Sequence, residues 1–291
     1  MKHIPILNID QFKLERISGF YCNNLALHLE KNKSIVNTSH RHDFFLCVVF
    51  TDGEGVHEID FESHVVQPGS VFFLRPGQTH RWEFNKRPDG YIFFHTQEFY
   101  EISFNNHELE QFPFYYSHTN PPYLHLTSNE LNSIRPRFDE IFTEYQHENY
   151  YQKQKLASLV NLVYIDLSRK YSKYDQVKKV VSPNYLETLA YLDLAIEKNY
   201  KIEKSAHFYA DRLNITARHL NRIVKTTLNK TTTQLINERL ILEAKRLIVH
   251  STNTFSEISE ILGFEDYAYF SRVFKQRSGY TPLNFKKRFK N

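Results

Sequence analysis

The chain is poor in cysteine, glycine and long apolar runs, and each scarcity removes a class of protein. Only Cys22 and Cys47 occur among 291 residues, in neither a CxxC pair nor a metal-ligand spacing. That argues against a disulfide scaffold and against a zinc finger. Eight glycines and ten prolines leave no room for collagenous or low-complexity tracts. The longest apolar run, FFLCVVF at 44–50, is about a third of a membrane span. The opening MKHIPILNIDQFKLER is basic but lacks the apolar stretch and small-residue cleavage site of a secretion signal. There is no nucleotide-binding glycine loop, no G-x-S-x-G and no H-E-x-x-H. These absences predict a soluble cytoplasmic protein that has no membrane partner, no cofactor and none of those catalytic chemistries.

What is present is globular in composition, 41% hydrophobic and 15% aromatic, and long enough for two cores. The net charge of +4 is unevenly placed. Residues 184–291 hold 18 Lys and Arg against 11 Asp and Glu, a net of +7, whereas residues 1–183 hold 19 against 22, a net of −3. A polyanion partner is therefore expected for the C-terminal part alone, nucleic acid before membrane.

Residues 20–100 run in short apolar stretches: LALHLE, FFLCVVF, GVHEIDF, HVVQPGSVFFLRPG, HRWEF and DGYIFFH. The turn signals DGEG (52–55), QPGS (67–70), RPGQ (75–78) and RPDG (87–90) separate them at the spacing of a β-barrel or sandwich. From Ser128 the period becomes helical. In the second helical stretch Leu156, Leu159, Val160, Val163 and Leu167 form an apolar stripe, which suits either packing on the barrel or a seam between two copies of the chain. The boundaries are a barrel over 1–127, a helical hairpin over 128–173, a linker over 174–183 and an all-helical part over 184–291. Ser182 and Pro183 are expected to open that last part as N-cap and first-turn proline.

Within it, Phe270, Val273 and Phe274 lie on one helical face, and Ala268, Ser271, Arg272 and Lys275 on the other. Upstream, Ile258, Ile261 and Leu262 form another apolar set, and Gly263-Phe264 breaks the helix, the glycine supplying a left-handed conformation. The pattern is helix, short turn, helix, with the second helix built to enter a DNA major groove. Thr281-Pro282 caps a final helix, PLNFKKRF, whose cations suit phosphates. The same pattern occurs earlier: Leu213 aligns with Leu262, Asn214 with Gly263, Ile215 with Phe264, Leu220 with Phe270, Arg222 with Arg272 and Lys225 with Lys275, given one extra residue in the later turn. Asparagine is the next-best left-handed residue. Leu220, Ile223 and Val224 are expected inside, and Arg218, Asn221, Arg222 and Lys225 outside. Between the units lies a helix of about nineteen residues, carrying Leu235, Leu240, Leu242, Ala244 and Leu247 and spanning about 28 Å, close to the ~34 Å between successive major grooves on one face.

Ile258, Gly263, Phe264, Phe270, Arg272, Phe274, Lys275, Gly279, Thr281 and Pro282 resemble the signature of the AraC/XylS family of bacterial transcription regulators. Ser259 stands where that family usually has alanine, and Asn229 where glycine is common. The resemblance implies sequence-specific binding at promoter half-sites, commonly as a homodimer, with contact to RNA polymerase and commonly activation. By matching positions it implies base contacts from Arg218, Asn221, Arg222, Tyr267, Ala268, Tyr269 and Arg272, with Lys225 and Lys275 toward DNA. Residues 35–100 resemble the cupin-like barrel with which such regulators take a small-molecule effector. His42, His80, Trp82, Phe93 and His95 are its expected lining. In metal-binding cupins an H-x-H pair, a glutamate and a later histidine hold the ion. His40, His42 and His80 match, but Leu46, Cys47 and Val48 stand where the glutamate belongs, so no metal site is expected. The fold class is thus α+β and multidomain: a cupin-like barrel with trailing helices, then two helix-turn-helix units joined by a helix. A metal-dependent cupin enzyme fused to a DNA-binding domain is the alternative.

Overall fold

The computed structural model describes residues 5–12, 17–33, 38–101, 103–104, 109, 112–115, 120–174 and 183–289. Ser182 and most of the expected linker lie outside them. The chain divides into two compact units, one formed mainly by residues 5–177 and the other mainly by 178–291.

In the first unit β1 (Ile6–Leu7) pairs in parallel with β3 (Arg41–His42). A larger sheet holds β2 (Phe20–Asn24), β4 (Phe45–Ile59), β5 (Glu62–Val66), β6 (Ser70–Leu74), β7 (His80–His95) and β8 (Tyr123–His125). Its order is β2-β7-β4-β6-β8, with β5 on the second half of β4. Alternation along β4 feeds two cores. Phe45, Cys47 and Val49 join Phe73 and Phe93 in a cluster completed by α2 (Gln97–Glu101), α3 (Ser128–Gln146) and α4 (Gln152–Tyr174). Leu46, Val48 and Phe50 join Phe72, Leu74, Ile92 and Phe94 in an inner cluster. Because both faces are covered, 44–50 reads as an unbroken apolar run rather than an alternating one.

The stripe Leu156, Leu159, Val160, Val163 and Leu167 is buried in the outer cluster, which decides between its two expected uses. These side chains close the helices onto the sheet and are not available to a second copy. Thr127 starts α3 with a capping box to Glu130, in agreement with the change of period at Ser128.

Two features of the strand region depart from expectation. DGEG and RPDG are not turns; both lie inside long strands, where β4 and β7 shift register between Phe50 and Gly55. Gly53 and Gly90 take φ of 113° and 146° there, so the glycines make bulges that bend a continuous ribbon. LALHLE is not a strand but α1 (Leu25–Lys31), started by Asn24, whose side chain accepts from the Leu27 N–H. The β4–β5 turn is made instead by Asp60 and Phe61, both at positive φ. QPGS and RPGQ do connect successive strands.

The second unit is helical: α5 (Pro183–Asn199), α6 (Ala206–Arg212), α7 (Ala217–Leu228), α8 (Thr232–His250), α9 (Phe255–Ile261), α10 (Tyr267–Ser278) and α11 (Pro282–Phe289). The duplication is exact in helix length: α6 and α9 have seven residues each, α7 and α10 twelve each. Asn214 and Gly263 take φ of 53° and 67° at the paired turns, and Asn229 and Gly279 take 54° and 79° at the paired C-caps. The expected equivalence of asparagine and glycine therefore holds at the turn, and the C-caps show it a second time. Central α8 buries Ile236, Leu240, Ile241, Ala244, Ile248 and Val249, while Leu235, Leu242 and Leu247 are half-buried, a rotation from the expected face. Ile261, expected inside, is 40% exposed.

Arg239 of α8 is buried too. Its guanidinium forks onto Glu197 of α5 at 2.6 and 2.8 Å, reaches Glu243 at 3.3 Å and stacks 4.2 Å from the Tyr200 ring centre. Burial opposes its charge, but the fork onto Glu197 outweighs that and raises its pKa.

Candidate functional site

Helices α7 and α10 each divide into a buried and an exposed face. Leu220, Ile223 and Val224 of α7 are buried, as are Phe270 and Phe274 of α10, with Val273 half-buried. Outward from α7 stand Arg218, Arg222 and Lys225, all exposed, along a surface concavity. The Arg222 guanidinium donates to His219 Nδ1 at 2.8 Å, so the arginine leaves the helix in a fixed direction. His219 was not singled out from sequence; its spacing of three from Arg222 is the signal that could have found it. Asn221 is half-buried, and its amide oxygen accepts the Thr232 N–H at 3.1 Å, at the first residue of α8. That oxygen therefore joins α7 to α8.

On α10, Ala268, Arg272 and Lys275 are exposed. Tyr267 and Tyr269 straddle the two faces. Tyr267 is 39% exposed and stacks on Phe255 at 6.2 Å, and Tyr269 is 50% exposed with its ring edge-on to Phe264 at 5.8 Å. Each ring has one side in the fold and its remainder in solvent. Both helices begin with a side-chain cap, from Thr216 to the His219 N–H and from Asp266 to the Tyr269 N–H. On α11 the Arg288 guanidinium donates to the Tyr280 hydroxyl at 2.7 Å, and Lys286 lies 5.3 Å from the Phe255 ring centre, so part of that basic cluster braces the fold.

In the first unit the five expected lining residues do not come together. His42, His80 and Trp82 lie with the inner cluster, whereas Phe93 lies in the outer one, and His95 Nε2 is 2.7 Å from the Tyr164 hydroxyl of α4. Strand alternation is the reason: odd positions 93 and 95 face the helices, while Ile92 and Phe94 face inward. The inner group gains His57, which sequence reading passed over inside the strand GVHEIDF. His80 Nε2 is 2.7 Å from His42 Nε2, and His80 Nδ1 is 2.8 Å from His57 Nε2. Burial pushes the His42 imidazole down to about 3, and burial together with the neighbouring imidazoles holds His57 and His80 well below the ordinary value. The Trp82 Nε1–H is buried beside them without a hydrogen-bond partner.

No described helix is long and apolar enough to cross a membrane. A family model described as an AraC-like ligand binding domain matches residues 32–159, and one described as a helix-turn-helix domain matches 209–288. Similar curated proteins include the HTH-type transcriptional activator RhaR of Cronobacter sakazakii, 23% identical over 248 residues, covering 85% of this chain and 86% of that protein. The activator RhaS of Escherichia fergusonii is 22% identical over 246 residues, covering 84% of this chain and 85% of its own length. Among solved structures, ToxT from Vibrio cholerae is 12% identical with a TM-score of 0.42, covering 94% of this chain and 100% of that one. The C-terminal domain of AraT, a response regulator from Geobacillus stearothermophilus, is 22% identical with a TM-score of 0.34, covering 39% and 91%. With a ligand-binding domain followed by two helix-turn-helix units, the chain belongs to the AraC/XylS family of DNA-binding transcription regulators.

Proposed function

We propose that α7 and α10 read two successive major-groove segments of a promoter half-site. Arg218 and Arg222 contact base edges from the first helix and Tyr267, Ala268, Tyr269 and Arg272 from the second, while Lys225 and Lys275 contact phosphates. Asn221 contributes through its NH2 end, since its oxygen is engaged. The observation that carries the reading is the exposed cationic face repeated on two recognition helices of equal length, α7 packed on α6 and α10 on α9, and both on the shared α8. In this reading residues 1–127 receive a small-molecule effector and 174–183 link the units. Residues 128–173 join two copies through a face other than the buried stripe. The regulator works in the cytoplasm as a homodimer and acts on RNA polymerase. The buried, unpartnered Trp82 Nε1–H supports an effector that brings a hydrogen-bond acceptor to the inner cluster.

The test is fluorescence anisotropy on the chain's own upstream DNA against a scrambled duplex. Arg222→Ala is expected to lose about 1–3 kcal/mol on the matched duplex and little on the scrambled one. Lys225→Ala weakens both similarly and lowers the salt slope by about one. Equal losses on both duplexes for Arg222→Ala sink the base-reading role.

A further inference from the structure

We propose that His40, His42 and His80 bind one divalent first-row transition ion of the zinc class, with His57 as the positioning residue for His80. Their donor nitrogens lie within 4.8 Å of one another, and all three residues are buried. The hydrogen bonds around them assign which nitrogen is free. His40 Nδ1 is 2.8 Å from the Thr38 carbonyl oxygen, which can only accept, so Nδ1 carries the proton and Nε2 keeps its lone pair. With His57 Nε2 as acceptor, His80 Nδ1 carries a proton at 2.8 Å and His80 Nε2 is a lone pair that accepts from His42 Nε2; ligation by His42 Nε2 therefore requires its proton to move to His42 Nδ1, which is buried without a partner. A ring nitrogen held by a carbonyl or another acceptor while its opposite nitrogen faces a common point is the outer-shell arrangement of metal-binding histidines.

His57 also shows that the cluster is incomplete as a purely hydrogen-bonded network, because its Nδ1 is buried without a partner. Zinc-nitrogen bonds of about 2.0–2.1 Å need tetrahedral N···N separations of roughly 3.4 Å. His42 and His80 would move apart by less than an ångström from 2.7 Å. The donor set is entirely imidazole, which disfavours magnesium and calcium and suits zinc, cobalt, nickel or copper. Three neutral ligands leave a fourth position open and the ion's charge uncompensated, so the position would favour an anionic oxygen from water or a small molecule. The proposal does not depend on how the helical unit reads DNA.

The experiment uses the full chain, stripped with chelator and titrated with Zn2+ and, separately, Co2+. About one equivalent of zinc is expected to resist gel filtration. The cobalt form is expected to show the ligand-field absorption of a low-coordinate nitrogen site without a thiolate charge-transfer band. His42→Ala and His80→Ala lose the stoichiometric ion, His57→Ala weakens it about 10- to 100-fold, and exposed His147→Ala changes nothing. Absence of retained zinc and of the cobalt spectrum in folded wild-type protein overturns the proposal. So does wild-type affinity in folded His42→Ala and His80→Ala. If those variants fail to fold, X-ray absorption of the wild-type zinc form decides, three imidazole shells supporting the site and any other first shell refuting it. DNA affinity of the same samples reports the regulator reading separately.

Discussion

At the scale of single residues, the departures from the family pattern have different consequences. Ser259 replaces an alanine, and its hydroxyl is buried in α9 with no hydrogen-bond partner. A buried hydroxyl left unsatisfied costs about 1–3 kcal/mol, and alanine removes it while leaving space for no more than one atom. Ser259→Ala should therefore raise the melting temperature by a few degrees in a thermal scan; a lower melting temperature would show that the hydroxyl has a role the fold needs. Asn229 departs in the other direction. It sits at φ 54°, a conformation asparagine tolerates, so the place of glycine is kept without it. Arg222 and Lys225 were legible in the sequence because a helix of period 3.6 leaves them no inward position. Asn221 was legible only as outward, because its acceptor role depends on where α8 starts.

Elements were legible wherever one rule governed them. The duplicated helices followed from spacing, caps and left-handed residues, all of which act within one turn of chain. The bulges at Gly53 and Gly90 were not legible, since a glycine in a turn and a glycine in a bent strand have the same local signature, and strand pairing decides between them. The split of Phe93 and His95 from His42 and His80 has a related cause: period 2 gives two faces but not which face is inner. Within the helical unit the two paired glycines make a sharp comparison. A Cβ on Gly263 would stand 2.1 Å from the Lys201 carbonyl oxygen, whereas one on Gly279 would meet nothing within 4 Å, although both are left-handed. Gly279→Ala should cost only the left-handed penalty of about 1–2 kcal/mol. Gly263→Ala should cost more and displace the loop before α6 from the α9–α10 turn. Urea denaturation of the two variants measures the difference, and equal midpoints would contradict the close approach.

At the scale of the whole molecule the two units differ in their response to acid. Burial lowers the pKa of His28 to about 3 and of His95 to about 4, from an ordinary 6.5. The unfolded chain takes up these protons first, so the stability concerned is complete above about pH 6.5 and is lost as pH falls toward 4. His207, His219 and His250 of the helical unit are not buried. Trp82 is the single tryptophan and lies in the first unit, so its fluorescence reports that unit alone. Melting followed by Trp82 emission should fall markedly between about pH 7 and pH 5 while the helical unit, followed by circular dichroism after the first transition, moves less. Parallel shifts would place the acid sensitivity elsewhere.

The sheet with both faces covered has a further consequence, for the life of the chain before and after it is folded. FFLCVVF at 44–50 and VFFL at 71–74 carry no charge, no proline and no glycine, and in the native state every one of these residues is buried. Segments of this composition stack readily into intermolecular cross-β ribbons once they are uncovered. The helices α3 and α4 are made after the strands they cover, so during synthesis the outer face of the sheet waits for its lid. A regulator built this way depends on prompt chain completion, and the same two helices that shape its sensor unit guard it against precipitation.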